Sequence, residues 1–159
     1  MNAIEVLTKL EIQEFHNFPK KLYKDDPNWV CPLDSMIESI FDPRKNHSFN
    51  HGEAIRWILK DDNGNTIGRV AAFIDNLRSA ANRQKTGGLG FFEVIEEKDA
   101  AFFLFDTAKE WLSARGIEAM DGPINFGEND NFWGLLVEGF TRQGFGMPYN
   151  KKYYREFFE

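Results

Sequence analysis

A single cysteine, Cys31, stands among 159 residues. An internal disulfide is therefore excluded, and Cys31-Pro32 belongs to no Cys-rich metal pattern. A lone thiol of this kind is expected to be buried and inert. Basic residues are outnumbered: nineteen Lys and Arg against twenty-five Asp and Glu give a net charge of −6. That balance opposes a broad electrostatic footprint on nucleic acid or on an anionic membrane. The one dense basic stretch, Lys151, Lys152 and Arg155 beside Tyr153 and Tyr154, is interrupted by Glu156 and Glu159 and reads as a solvated end segment. No apolar run approaches the roughly 18 residues of a membrane span, and Met1-Asn2-Ala3-Ile4-Glu5 lacks the basic-then-apolar pattern of a leader. The expectation is a cytoplasmic protein with no nucleic-acid and no membrane partner. Internal repeats and low-complexity stretches are also lacking.

Apolar and aromatic residues are plentiful. Hydrophobic residues make up 42% of the chain, sixteen of them phenylalanine, enough for one folded domain spanning residues 1–159. Residues 3–9 alternate apolar and charged side chains, the period of a half-buried strand. From Leu10 the spacing Ile12, Phe15, Phe18, Leu22 marks a helix that Pro19 should break or kink. Leu33, Met36, Ile37, Ile40 and Phe41 form a second helical stripe that ends before Asp42-Pro43. A polar loop covers residues 44–52.

Two strands, residues 54–60 and 67–74, flank Asp61-Asp62-Asn63-Gly64-Asn65, a hairpin signal because Asn-Gly tolerates positive φ. A second polar loop, residues 75–88, leads to a strand from Leu89 to Ile95. Asp99 then caps a long helix, residues 100–114, stopped by Gly116. Residues 117–124 read as a short strand. A last helix follows, capped by Asn129 or Asp130, running through Phe132, Leu135, Leu136 and Val137 and stopped by Gly139. The aromatic segment from Phe145 to Phe158 fits no single element. The order predicts an α+β, or mixed α/β, fold with an antiparallel meander and one strand-helix-strand unit able to pair in parallel.

This order, with Phe91-Phe92-Glu93-Val94 and the helix end Ala108-Lys109-Glu110-Trp111-Leu112-Ser113-Ala114-Arg115-Gly116-Ile117, resembles the GNAT acyltransferase superfamily. The Asn-containing turn 125–131 and Leu135-Leu136-Val137-Glu138-Gly139-Phe140 occupy the corresponding later positions, so the likeness covers roughly residues 3–148. Leu22-Tyr23-Lys24-Asp25-Asp26-Pro27-Asn28-Trp29-Val30, Gly122-Pro123-Ile124-Asn125 and Met147-Pro148-Tyr149-Asn150 are similar to a bacterial group of uncharacterised GNAT-like proteins that are usually longer. The resemblance implies a central, mostly antiparallel sheet flanked by helices, with strands four and five splayed. It also implies an acetyl-CoA or other acyl-CoA cofactor. Strand four, here Phe91, Phe92, Val94 and Ile95, would hold the pantetheine arm, and the start of the next helix, Asp99 and Ala100, the pyrophosphate.

The chain departs from that pattern in two places. Glu96-Glu97-Lys98-Asp99-Ala100 replaces the family's glycine-bearing phosphate loop, adding carboxylates where a diphosphate should sit. The family's tyrosine proton donor, five positions before the Phe of Gly-Phe, falls on Leu135. Gly87, Gly88 and Gly90 precede the strand and suit a turn or bulge.

Glu93, in strand four, is the candidate general base for an acceptor amine. The plainer alternative is a carboxylate that pairs with Arg69 or faces solvent. Asn125 and Asn129, beside Glu128 and Asp130, lie where an acceptor would enter, although turn and cap chemistry accounts for them equally well. Trp29, Trp57, Phe91, Phe92, Phe126, Phe132 and Trp133 read as core before they read as a pocket. His47 and His51, four apart and close to Glu53, have a metal-like spacing, but their Asn, Ser and Gly neighbours favour an exposed loop, so no metal site is assigned.

After Phe140 the remaining residues are few for the family's closing hairpin. Residues 146–159 are expected to be an edge strand or an interface segment, in a homodimer or beside a second domain of a longer protein. The function implied is N-acyl transfer from acyl-CoA to an unidentified small amine. The alternative is a catalytically silent GNAT-like module that binds a small ligand or completes a partner domain.

Overall fold

The computed structural model describes residues 1–81, 83–127, 134–144 and 146–159. Its sheet has five strands in the order β1 (Asn2–Glu5), β2 (Gly52–Lys60), β3 (Thr66–Asp75), β4 (Thr86–Val94) and β5 (Ala119–Asp121). The first four pair antiparallel, and β5 runs parallel to β4. The helices are α1 (Lys9–Leu22), α2 (Asp34–Phe41), α3 (Asn76–Ala81), α4 (Lys98–Ser113) and α5 (Tyr154–Phe158). This is the mixed α/β, mostly antiparallel architecture expected, with an unclosed sheet.

The pleat divides the apolar residues between two layers. From β2, Trp57 and Leu59 join Val70, Leu89, Leu104 and Leu112 on the α4 face. Ile58 between them turns to Phe15 of α1 and Ile37 of α2 on the other face. The hairpin joining β2 and β3 turns through Gly64 at φ 82°, as Asn63-Gly64 predicts.

The expected strand over residues 3–9 ends at Glu5, because Thr8 is claimed by α1 as its N-cap. The Thr8 hydroxyl accepts from the Glu11 amide while the Glu11 carboxylate accepts from the Thr8 amide, a capping box. Pro19 neither ends nor shortens α1, which continues to Leu22. Proline has no N–H for the carbonyl four residues back, here Phe15, and Arg69 Nη1 supplies that carbonyl with a donor at 2.9 Å.

Other boundaries also move. The expected loop 75–88 contains α3 and the start of β4, so Gly87, Gly88 and Gly90 lie inside the strand and not before it. At α4 the N-cap is Glu97, and Asp99 sits in the first turn. The last helix is not formed over 134–139, where the described backbone is irregular, and its proposed caps Asn129 and Asp130 lie outside the described residues. Where one alternative was an edge strand, the chain instead forms α5, whose Tyr154 is 1% exposed. The segment holding Tyr153 and Tyr154 is therefore not simply solvated. Cys31 is exposed, not buried.

Candidate functional site

Strand β4 is regular only up to Gly90. Opposite it, Arg69 pairs with Glu93 and Ala71 with Gly90, so two steps along β3 match three along β4. The extra residue is a bulge at Phe91, which takes φ 50°, a conformation that non-glycine residues rarely adopt. Counting by twos from Leu89, which faces α4, places Glu93 on that same apolar face. The bulge reverses the count: Phe92 and Val94 face α4, Phe91 joins Phe15 and Phe41, and Glu93 turns toward α1.

There the Glu93 carboxylate is buried and accepts two phenol hydrogen bonds on the same oxygen, Oε2. Tyr23, just past the end of α1, donates at 2.7 Å, and Tyr154, the first residue of α5, donates at 2.8 Å. Burial pushes the Glu93 pKa up, although Arg69 and both hydroxyls oppose the shift. Burial, followed by the nearby Glu93 charge, holds Tyr23 and Tyr154 well above the usual phenol range, so both stay protonated. Arg69, 4% exposed, lies across the ladder from Glu93 with its guanidinium 4.6 Å from the Phe15 ring centroid. Burial lowers its pKa, and its Nε is buried without a hydrogen-bond partner among the described residues.

Beside this cluster the sheet opens. Strand β5 pairs with β4 only over Thr86–Gly88, and a last contact, from the Ile124 amide to the Leu89 carbonyl at 2.8 Å, ends the joint. Gly90 is required there, because a Cβ would collide with the Ile124 carbonyl. Past this point a cavity of about 100 Å³ opens, bordered by Trp29, Phe91, Glu93, Asn125, Leu135 and Tyr154 among others. At roughly 10–15 Å³ of such space per water, it has room for several waters or a small ligand group.

The sequence-chosen residues are thus only partly together. Glu93 and Asn125, which is 4% exposed, reach one cavity, whereas Asn129 lies outside the described residues. Glu93 does not face solvent, and it is held by tyrosines as well as placed opposite Arg69. Phe92 lines the cavity and stacks on Phe105. The Val94 amide donates to Tyr154 Oη and its carbonyl accepts from Tyr153 Oη, each at 2.7 Å. The Ile95 amide is turned to the Ile67 carbonyl of β3, away from the opening. Asp99 is exposed at the start of α4, but the Ala100 side chain is wholly inside the core.

Of the aromatic set, Trp29, Phe91 and Phe92 border the cavity, Trp57 and Phe126 are buried, and Phe132 and Trp133 lie outside the described residues. His51 bonds Asp75 through Nδ1 at 2.9 Å, and His47 begins a 3-10 turn, 47–50. No group of three metal-ligating side chains occurs among the described residues.

Tyr23, Arg69 and Tyr154 join the site without belonging to the residues that the sequence marks for catalysis or binding. Tyr23 and Tyr154 are 70 and 61 residues from Glu93 in sequence, and no local spacing joins them. The one available signal was a basic strand position, Arg69, facing an acidic one in the next strand.

Comparison with known proteins gives two kinds of likeness. Over 150 residues the chain is 35% identical to "Protein YghO" of Escherichia coli, covering 93% of this chain and 37% of that protein. Over 142 residues it is 35% identical to "Bacterial ceramide synthase" of Caulobacter vibrioides, covering 88% of this chain and 36% of that protein. The chain therefore spans little more than a third of the curated relatives it matches. Among solved structures, an acetyltransferase of the GNAT family from Staphylococcus aureus aligns with a TM-score of 0.51 at 19% identity, over 77% of this chain and 72% of that one. A predicted acetyltransferase from Clostridium acetobutylicum, solved with acetyl-CoA, aligns with a TM-score of 0.51 at 13% identity, over 86% and 96%. No family model matches the chain. Among the described residues, no helix is long and apolar enough to cross a membrane.

Proposed function

For a chain that has the fold of the GNAT acetyltransferases, we propose N-acyl transfer from an acyl-CoA thioester to a small amine, with Glu93 as the base. The observation that carries this is the buried Glu93 carboxylate, turned by the Phe91 bulge toward a cavity at the point where β4 and β5 part. A carboxylate whose pKa is raised by burial is a better proton acceptor for an ammonium centre than an exposed one. Both phenols bond Oε2, which leaves Oε1 to receive the proton. Asn125, buried at the same cavity, is the candidate to orient the amine.

The acyl donor would supply an activated thioester. The edge of β4 at Val94 fits its amide-bearing arm, since that residue's N–H and C=O both point away from β3. The loop Glu96–Ala100 fits its diphosphate poorly, because exposed acidic side chains surround the start of α4. The name of the Caulobacter relative accords with acylation of an amine, ceramide being an N-acylated amino alcohol.

A second reading, a catalytically silent module that binds a small ligand or completes a partner domain, is favoured by that loop and by the tyrosines already bonded to Val94. Calorimetric titration with acetyl-CoA and CoA, followed by acetyl transfer to a panel of small primary amines, separates the two. Micromolar binding and transfer that is lost in Glu93→Gln supports the enzyme. Absence of binding at millimolar CoA removes it in favour of the silent module.

A further inference from the structure

We propose that Tyr154 is a positioning residue shared by the base and the cofactor edge: Tyr154 and Tyr153 must leave Val94 for acyl-CoA to seat there, and their departure takes one of the two donors from Glu93. This rests on the acyl-CoA reading above and adds a coupling to it.

The geometry of the strand makes the coupling obligatory. The Ile95 amide bonds β3, at the Ile67 carbonyl, so its neighbour Val94 presents N–H and C=O on the opposite edge. Strand β5 pairs no further than Gly88, and that edge is met by hydroxyls from the chain's own end. Tyr154 Oη accepts the Val94 N–H at 2.7 Å, and Tyr153 Oη donates to the Val94 carbonyl at 2.7 Å. A phenol has one proton, and the 2.8 Å contact to Glu93 Oε2 takes it in preference to the 3.2 Å contact to the Val94 carbonyl. One oxygen therefore serves the strand edge and the carboxylate at once, and a ligand amide cannot replace it at the first without withdrawing it from the second.

The consequence for Glu93 has a definite sign. Hydrogen bonds to the charged form favour that form, so losing Tyr154 makes the carboxylate hold a proton more tightly. The other titratable groups that face it are Arg69 from β3, Tyr23 after α1, Lys151 ahead of α5, and Tyr153, which leaves together with Tyr154. Arg69 and Tyr23 are fixed elsewhere, by the Phe15 carbonyl and by the stack on Trp29 with centroids 4.9 Å apart. Glu93 thus becomes the stronger base when the acyl donor arrives, and transfer is timed to a loaded site.

The test uses the full chain with carboxyl-labelled glutamate, CoA as the probe, and Tyr154→Phe and Tyr153→Phe as variants. CoA is expected to raise the Glu93 titration midpoint in the wild type. Tyr154→Phe should start from a higher midpoint that CoA moves less, the residue of the shift reporting the charge of CoA alone. Each variant should bind CoA about three- to tenfold more tightly, the range that a lost competing hydrogen bond gives. If Tyr154→Phe fails to fold, Tyr153→Phe, whose hydroxyl hydrogen-bonds the Val94 carbonyl alone among the described residues, still carries the affinity test. CoA affinities within twofold of wild type in the folded variants, or an equal CoA-induced shift with and without the Tyr154 hydroxyl, would overturn the coupling and leave the acyl-CoA reading standing. Loss of CoA binding from wild type and variants alike would overturn both.

Discussion

Arg69 donates to the backbone carbonyl of Phe15, the group that Pro19 leaves without a helical donor one turn further on. A defect in α1 thereby becomes the anchor for the one guanidinium that faces Glu93 across the ladder. Arg69→Met should cost about 3 kcal/mol, since it strands a buried carbonyl and a buried carboxylate together. In the Pro19→Ala background, where residue 19 regains its N–H, the same substitution should cost about 1 kcal/mol less. Urea unfolding of the four proteins checks this. Additive costs would show that the helix and the guanidinium are independent.

Gly90 sits where β4 and the chain after β5 approach most closely, and a Cβ would run into the Ile124 carbonyl. Gly90→Ala should therefore lose about 2 kcal/mol or more through forced separation of the two segments. The measurement is the urea midpoint, with hydrogen exchange at Ile124 as the local reporter. An unshifted midpoint would place the joint elsewhere.

Acid should act through His16. Burial holds its pKa below the usual value, although the Glu38 carboxylate, 2.7 Å from Nε2, opposes the shift. The unfolded chain then binds the proton more readily than the folded one. Stability falls as pH drops through the ordinary histidine range toward the lower folded value. Glu38 extends the loss further down: burial pushes its pKa up, but Arg56 and His16 outweigh burial and hold it low. His16→Gln should flatten the stability curve between pH 7 and about 5, measured by denaturant titration at each pH. A curve that keeps its wild-type slope would exclude His16 as the cause.

Glu93 should act in the opposite sense. Its pKa is raised in the fold, so the folded state holds the proton longer than the unfolded chain does. Its contribution is most favourable below the usual carboxylate range and declines as pH rises from there through the folded value. Glu93→Gln should remove that decline, seen as a smaller loss of unfolding free energy between pH 4 and 7 after the His16 contribution is subtracted. An identical slope in the two proteins would mean that the carboxyl titrates normally.

Much of the frame was legible because local rules govern it. The Asn63-Gly64 hairpin, the stripe of α2 and the α4–Gly116 stop each depend on a few adjacent residues. Of the residues chosen from the sequence, Glu93, Asn125, Phe91 and Phe92 border the cavity, and the tyrosines and the strand reversal were not legible. Period-two counting fails across a bulge, and nothing in Leu89-Gly90-Phe91-Phe92 announces which residue will be the extra one. The tyrosines came from the two ends of the chain, one of them within a segment whose lysines and glutamates signal solvent. The partners of that segment are the polar edge of β4 at Val94 and the Phe92 and Phe105 rings, tertiary features with no sequence signature. Pro19 misled for a related reason: the donor that rescues α1 belongs to a strand 50 residues later in the numbering.

Helix α5 is five residues long, too short to bend, and it is pinned at both ends. The Tyr154 hydroxyl holds the strand edge, while the Phe158 ring packs against Phe92 and Phe105 with centroids 5.2 and 5.0 Å away. A rigid bar on two pins cannot slide along the sheet or release one contact at leisure; it is lifted whole or stays down. Under the coupling proposed above, opening of the β4 edge is therefore switch-like, with an activation barrier set jointly by a hydroxyl at one end and an aromatic ring at the other. Loosening the Phe158 ring, which meets β4 at Phe92, should speed the opening of the edge at Val94.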